Sequence, residues 1–249
     1  MECFAATDIG RVRKINEDAF YNDPDNLGLY IVADGMGGHL AGEVASALAV
    51  DTLSSLLREP LKKRGLRKRQ IEELLRDAVV ETNRTIHRQA TAHEGLSGMG
   101  TTVVVCVLAE GRAHIAHIGD SRAYLAREGQ LVQLTTDHSL VQELLSKGRI
   151  TEAEAVDHPR KNILTRALGT DPDVAVDLTD LSLKAGDVLL LCTDGVTNHV
   201  EASELLAFLT ENTPQEAGRK MIELANSRGG FDNMTVLIVN TPSGQEDRA

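Results

Sequence analysis

Five short acidic segments, spread over almost the whole of a 249-residue chain, carry the residue types that could do chemistry: Asn16-Glu17-Asp18, Asp34-Gly35-Met36-Gly37-Gly38, Gly119-Asp120-Ser121-Arg122, Thr193-Asp194-Gly195 and Phe231-Asp232-Asn233. Each ends or follows an apolar, strand-like run. A carboxylate at the end of a buried strand is poorly solvated, and its charge is costly unless something positive lies against it. Several of them gathered together would supply oxygen ligands for metal ions. Aspartates with glycines, without the His or Cys spacing of a zinc site, select hard cations such as Mg²⁺ or Mn²⁺. The chemistry this implies is hydrolysis of a phosphate at a multi-metal centre.

A single Asp-Gly pair is most often just a turn. Three of the aspartates, however, stand with glycine at the edge of an apolar run: Asp34 after residues 29–33, Asp194 after residues 188–192, and Asp232 between Gly229-Gly230 and residues 234–240. Convergence as metal ligands explains the three together better than three separate turns do. At Asp34 the following carbonyl, that of Gly35, can face the same crevice as the carboxylate, a geometry that suits a bridging ligand.

The elements that must position these residues read as follows. Strands are expected at 4–8, 19–22, 29–33, 101–108, 113–118, 123–126, 131–134, 174–181, 188–192 and 234–240, with Glu110-Gly111 and Glu128-Gly129 as hairpin turns. The apolar spacing predicts long helices over 41–57, through Val44, Leu48 and Leu56, and from 70 to about 93, through Leu74, Leu75, Val79 and Ile86. Shorter helices are expected at 140–147, 202–209 and 214–227. Residues 139–166, broken by His158-Pro159, read as a flap over a site. Strands interleaved with helix pairs, rather than strict alternation, favour an α+β fold of antiparallel sheets layered with helices. No repeat or linker marks a second domain, so residues 1–242 read as one domain and 243–249 as a disordered tail.

Composition narrows the function. A net charge of −11 disfavours a nucleic-acid binder, and two divalent cations would offset part of it. Three widely spaced cysteines, Cys3, Cys106 and Cys192, suit buried thiols in a reducing cytoplasm. No apolar run is long enough for a membrane span, and no basic-then-apolar leader opens the chain. A cytoplasmic protein without membrane contact is expected.

In their order along the chain, Gly10, Arg13, Asn16-Glu17-Asp18, Asp34-Gly35-Met36-Gly37-Gly38, Gly42-Glu43, Gly98, Gly100-Thr101-Thr102, Gly119-Asp120-Ser121-Arg122, Asp194-Gly195 and Asp232-Asn233 resemble the metal-dependent serine/threonine protein phosphatases of the protein phosphatase 2C family, bacterial branch, over about residues 3–240. The resemblance implies a four-layer α-β-β-α sandwich with a binuclear Mn²⁺/Mg²⁺ site at one end. Asp34 would bridge both ions, with the Gly35 carbonyl on one of them. Asp194 and Asp232 would hold the other, Glu17 and Asp18 would act largely through coordinated waters, and Asp120 with Asp194 would hold a third, weaker ion. Arg13 would grip the substrate phosphate, for which a planar guanidinium fork is suited. The implied partners are phosphorylated proteins, among them a serine/threonine kinase and its substrates, and a monomer is expected. One departure concerns Met36, which stands where eukaryotic members carry a histidine that protonates the leaving alcohol. Metal-bound water or His39 could take that part, and the general acid stays unassigned.

Competing readings are few. Cys106 and Arg112 match the Cys-x5-Arg spacing of thiolate phosphatases, but the intervening residues read as strand and turn rather than a phosphate-cradling loop. Arg58, Lys62, Lys63, Arg64, Arg67, Lys68 and Arg69 form a basic cluster that reads most simply as a solvated helix connection. A catalytically silent binding module would lack Asp34, Asp194 or Asp232, all of which are present. A phosphatase of small molecules would share the metals and differ in its pocket.

Overall fold

A computed structural model describes residues 2–22, 27–37, 41–63, 65–156 and 158–241. Gly38 and His39, Arg64 and the segment from Pro242 onward lie outside the described residues, so the sequence readings that fall on them find no counterpart here.

Eleven strands among the described residues form two antiparallel sheets. The first sheet runs β1 (Glu2–Asp8), β11 (Met234–Asn240), β10 (Val188–Cys192), β7 (Arg122–Arg127) and β8 (Gln130–Gln133) in spatial order. The second runs β2 (Asp18–Asn22), β3 (Leu29–Met36), β5 (Val103–Ala109), β6 (Arg112–Ile118) and β9 (Asp177–Ser182), with the short β4 (Gly100–Thr101) pairing β3. Their facing sides interdigitate Tyr30, Val32, Val104, Cys106 and Ile115 with Leu125, Leu189, Leu191, Leu237 and Val239. With both faces buried, the central strands are continuous apolar runs, which makes them legible in the sequence.

The outer faces are covered by helices. On the second sheet, α1 (Ala41–Leu61) and α2 (Lys68–Ala92) bury Ala45, Ala49, Leu53, Leu57, Leu75, Val79 and Ile86 against Ile31, Val103 and Val105. On the first, α6 (Ala202–Glu211) and α7 (Pro214–Ser227) bury Leu205, Leu209, Met221 and Ala225 against Leu190, Val236 and Ile238. The result is the expected α+β, four-layer α-β-β-α sandwich.

Three readings need correction. The buried stripe of α1 is Ala41, Ala45, Ala49, Leu53 and Leu57, while Val44 and Leu56 are 37% and 38% exposed. Small alanines bring the helix close to β3, and a count of large apolar residues passes over them. Strand β3 does not stop at Asp34 but continues through Met36, because Gly35 and Met36 pair with Thr101 and Gly100 of β4. The run expected at 101–108 is split at Thr102 for the same reason. The segment 139–166 contains two helices, α3 (Leu140–Ser146) and α4 (Glu152–Val156), where one was expected. Its two ends are joined at the base by Leu140 N–H to the Ile163 carbonyl and Thr165 N–H to the His138 carbonyl, each 2.8 Å.

Both hairpin turns are present, with Glu110-Gly111 and Glu128-Gly129 all at positive φ, as a two-residue turn between right-twisted strands requires. Cys106 is fully buried between the sheets, its thiol pushed up to about 12 by burial, and Arg112 is engaged by Asp180. Burial therefore disfavours a thiolate there. The described members of the basic cluster are exposed, among them Lys68 paired with Asp180 at 2.7 Å and Arg69 with Glu73 at 2.8 Å.

The last apolar strand meets the end of β10 so closely that a Cβ on Gly195 would stand 1.9 Å from the Asn233 carbonyl oxygen, whereas one on Gly95 would meet nothing within 4 Å. Gly195→Ala should therefore lower Tm by several degrees, about 1–3 kcal/mol of overpacking, and Gly95→Ala should leave it unchanged. Thermal unfolding of the two variants checks this, and equal Tm values would contradict it.

Candidate metal centre

All five acidic segments reach one end of the sandwich. Asp18 opens β2 and Asp34 lies near the end of β3, and in the antiparallel register they are directly opposite each other. Asp120 sits between β6 and β7, Asp194, separated from β10 by Thr193 alone, begins the one-turn helix α5 (Asp194–Thr197), and Asp232 is separated from the start of β11 by Asn233 alone. Chain reversal at five strand ends thus converts distant sequence positions into neighbours. A crevice of about 310 Å³ is lined by Arg13, Glu17, Asp34, Gly35, Asp120, Asp194 and Asp232, with Met36 and, from the 139–166 segment, Asn162 and Leu164 on its walls. Asp18 lies just beneath.

Backbone and side-chain hydrogen bonds hold these acids in place. The Asp34 carbonyl accepts from Thr102 N–H and the Thr101 hydroxyl, both 2.9 Å, and Asp34 N–H donates to Thr102 Oγ1 at 3.0 Å. Asp18 Oδ2 accepts from the hydroxyls of Thr193 at 2.9 Å and Thr235 at 2.7 Å. Asn233 clamps the loop that precedes β2, donating to the carbonyls of Ile9 and Ile15 and accepting from Glu17 N–H. That loop carries Arg13, whose Nη2 is 2.7 Å from Asp232 Oδ2 and whose Nη1 is 3.6 Å from Glu17 Oε2. Asn198 donates to Asp194 Oδ2 at 3.0 Å.

The electrostatics are those of an anionic cluster short of cations. Burial raises Asp34 well above the usual carboxylate range, and the charges of Asp18, Asp194, Asp120 and Asp232 add to it. Asp18 is pushed up to about 7 by burial, against the pull of the two threonine hydroxyls, and Asp120 to about 7 by burial and the charges of Asp194 and Asp137. Burial likewise raises Glu17 and Asp194. Arg13 is the guanidinium beside them; partial burial opposes its charge, while Asp232, Glu17 and Asp34 hold it protonated. Three buried carboxylate oxygens of this cluster, Glu17 Oε1, Asp18 Oδ1 and Asp194 Oδ1, have no hydrogen-bond partner. Unsatisfied, mutually repelling oxygens at this density are the donor set that hard divalent cations complete.

A second group that could suggest a metal, His117, His138 and Asp177, fits less well. Gly119 N–H donates to His138 Nδ1 at 3.0 Å, which leaves the ring proton on Nε2, facing Asp177 Oδ2 at 3.2 Å. Arg166 also holds Asp177, at 2.8 Å. His138 and Asp177 are thus engaged in a hydrogen-bond chain, while His117 Nε2 meets the Thr136 carbonyl at 2.9 Å and its Nδ1 is left without a partner.

Every site residue singled out from the sequence, Arg13, Glu17, Asp18, Asp34, Gly35, Asp120, Asp194 and Asp232, lies at this one end. Sequence reasoning passed over Thr193, Thr235 and Asn198, which orient the acids, and Asn162, which lines the crevice from the 139–166 segment. The threonines had one signal, their place within a residue or two of an acidic motif and a strand boundary.

The model of the family described as Protein phosphatase 2C matches residues 11–226. The serine/threonine phosphatase stp of Listeria monocytogenes is 45% identical over 245 residues, 97% of this chain and 96% of that protein. The structure of the Mycobacterium tuberculosis serine/threonine phosphatase PstP/Ppp superposes with a TM-score of 0.89 at 38% identity, covering 97% of this chain and 98% of that one. The catalytic domain of the serine/threonine protein phosphatase PstP, in complex with two manganese ions, superposes at 0.83 with 38% identity over 95% of this chain and 96% of that one. The chain belongs to the protein phosphatase 2C family.

A raised carboxylate pKa means that the folded chain binds protons the unfolded chain has released, so this cluster costs stability as pH rises from the ordinary carboxylate range to about 7. Cations relieve that cost. Saturating Mn²⁺, at about 100 times its dissociation constant, should stabilise by about 2.7 kcal/mol, or about 5–10 °C in Tm for a chain of this size. The gain over chelator should be larger at pH 8 than at pH 5. Asp34→Asn should raise Tm in chelator and abolish the Mn²⁺ gain. Thermal unfolding with and without Mn²⁺ checks both, and a gain independent of pH and of Asp34 would contradict them.

Proposed function

We propose that the chain is a metal-dependent protein phosphatase that hydrolyses phosphoserine and phosphothreonine in proteins. The observation that carries this reading is the convergence of Asp34, Asp120, Asp194, Asp232 and Glu17 on one crevice, with Asp18 opposite Asp34 and the Arg13 guanidinium at the rim. Family membership and the manganese-bound relative support it.

On this reading Asp34, the Gly35 carbonyl, Asp194 and Asp232 would hold two Mn²⁺ or Mg²⁺ ions, with Glu17 and Asp18 behind them, and Asp120 with Asp194 would hold a third, weaker one. When bound, such ions supply Lewis acidity towards phosphoryl oxygens and lower the pKa of a water enough for it to act as nucleophile near neutral pH. The chain's own contribution is position. Thr101 and Thr102 fix the Asp34 backbone, Thr193 and Thr235 fix Asp18, and Asn233 fixes the loop that presents Arg13. Arg13, whose Nη2 stands 2.7 Å from Asp232 Oδ2 at the rim, would offer two parallel N–H donors to the phosphate. No protein nucleophile is required, since Cys106 is walled into the core.

Leaving-group protonation does not fall to Met36, whose thioether has no proton to give. The kinases that place these phosphoryl groups in the same cell are the natural counterparts, and the enzyme acts as a monomer in the cytoplasm. Buried free thiols at Cys106 and Cys192 support a reducing compartment, and no helix among the described residues is long and apolar enough to cross a membrane.

Phosphate release from a phosphothreonine peptide should require Mn²⁺ and stop on chelation. Asp232→Ala should abolish it, Arg13→Lys should lower kcat/KM at least about tenfold through loss of the fork, and Cys106→Ser should turn over like the wild type. Undiminished activity in excess chelator would contradict the mechanism, and an inactive but folded Cys106→Ser would restore the thiolate alternative.

A further inference from the structure

Past Arg13 and Asp232 the crevice opens into a groove of about 950 Å³, bordered also by Asn162, Asn198, His199 and Phe231. Phe231 is 63% exposed, the most exposed large apolar side chain among the described residues. A lone exposed apolar residue is ordinary, but this one is braced on two sides. Its ring lies over Gly229, where an added Cβ would stand 2.6 Å from it. It also packs on the His199 imidazole, centroids 5.6 Å apart and planes tilted by 33°. His199 is fixed in turn by Nδ1 to the Gly195 carbonyl at 3.0 Å, and Arg228, itself gripping Glu204, donates to the His199 carbonyl at 2.7 Å. Gly229 and Gly230, at φ of 123° and 52°, make a turn that L-residues rarely adopt, and it delivers Phe231 to the groove and Asp232 to the crevice.

A rigid, exposed ring costs little entropy to engage, which is why such rings anchor peptide interfaces. Phe231 adjoins Asp232, so about 10 Å of extended chain, two or three residues, separates a phosphate held by Arg13 from a side chain resting on the ring. The two ends of the groove therefore differ in kind, cationic at Arg13 and apolar at Phe231, with Asn162 and Asn198 also on its lining.

Building on the phosphatase reading above, we propose that Phe231 is a specificity-determining residue that receives an apolar side chain of the substrate polypeptide, two or three residues from the phosphorylated one. The substrate class is then a phosphopeptide segment with a nearby leucine, isoleucine, valine or aromatic residue. A phosphorylated small molecule would leave this half of the groove unused.

The test compares two phosphothreonine peptides, identical except for leucine or serine at the positions two and three residues to either side, together with free phosphothreonine, all in saturating Mn²⁺. The wild type should favour the leucine peptide about tenfold in kcat/KM, the worth of partial burial of one apolar side chain. Phe231→Ala should erase that preference through KM with kcat held, Phe231→Leu should keep part of it, and both should hydrolyse free phosphothreonine as the wild type does with the same Mn²⁺ dependence. A Phe231→Ala enzyme that keeps the leucine preference overturns the proposal, as does one that loses turnover equally on all three substrates, or a wild type indifferent to the peptides. A wild type that hydrolyses none of the three with Mn²⁺ overturns the phosphatase reading itself.

Discussion

Two aspartates, Asp18 and Asp34, face each other across a strand pair at the one end of the sandwich where three more aspartates and Glu17 converge. Like charges directly opposite in an antiparallel ladder destabilise it, and here burial denies them the solvent that would screen the repulsion. Nothing in the hydrophobic core requires such an arrangement. On the metal-centre reading it is tolerable because divalent cations would supply the missing positive charge, and the hydrogen bonds at this end of the molecule keep the oxygens in place.

The two sheets are joined at that point by more than apolar packing. Asp18 belongs to the second sheet, while Thr193 and Thr235, whose hydroxyls it accepts, flank and begin the strands of the first. One carboxylate oxygen thus holds the sheets in register and the other is left unsatisfied. Asn233 performs a similar joining role for the loop before β2, tying Ile9, Ile15 and Glu17 to the segment that bears Asp232. Close approach is possible because the residues at the crossing are glycines: a Cβ on Gly35 would stand 2.1 Å from the Gly42 carbonyl oxygen, and one on Gly195 still nearer its neighbour. A site built from several strand ends is positioned to within the tolerance of the core, which loops alone do not provide. Its cost is the local instability common at functional sites.

Much of this is legible from residue types alone. Strands buried on both faces, such as Val188–Cys192 and Met234–Asn240, appear as unbroken apolar runs, and their expected bounds match the observed ones. Aspartate recurring with glycine at the edges of such runs announces the cluster in the primary structure itself. The alanine face of α1 is not legible, because close helix-to-strand packing selects small residues that a hydrophobicity pattern underweights. The extension of β3 beyond Asp34 is equally hidden, since a two-residue partner, β4, leaves no periodic trace. Nor does the sequence show that Thr193 and Thr235 hold Asp18 or that Asn162 lines the crevice, because these contacts depend on tertiary closure.

Anomalous diffraction from crystals grown with Mn²⁺ bears most directly on the claim that these acids exist to gather cations. The account requires strong manganese peaks in the crevice, one bounded by Asp34 and the Gly35 carbonyl and one by Asp34, Asp194 and Asp232. Full occupancy elsewhere on the molecule, with the crevice acids protonated and metal-free at saturating Mn²⁺, would contradict it.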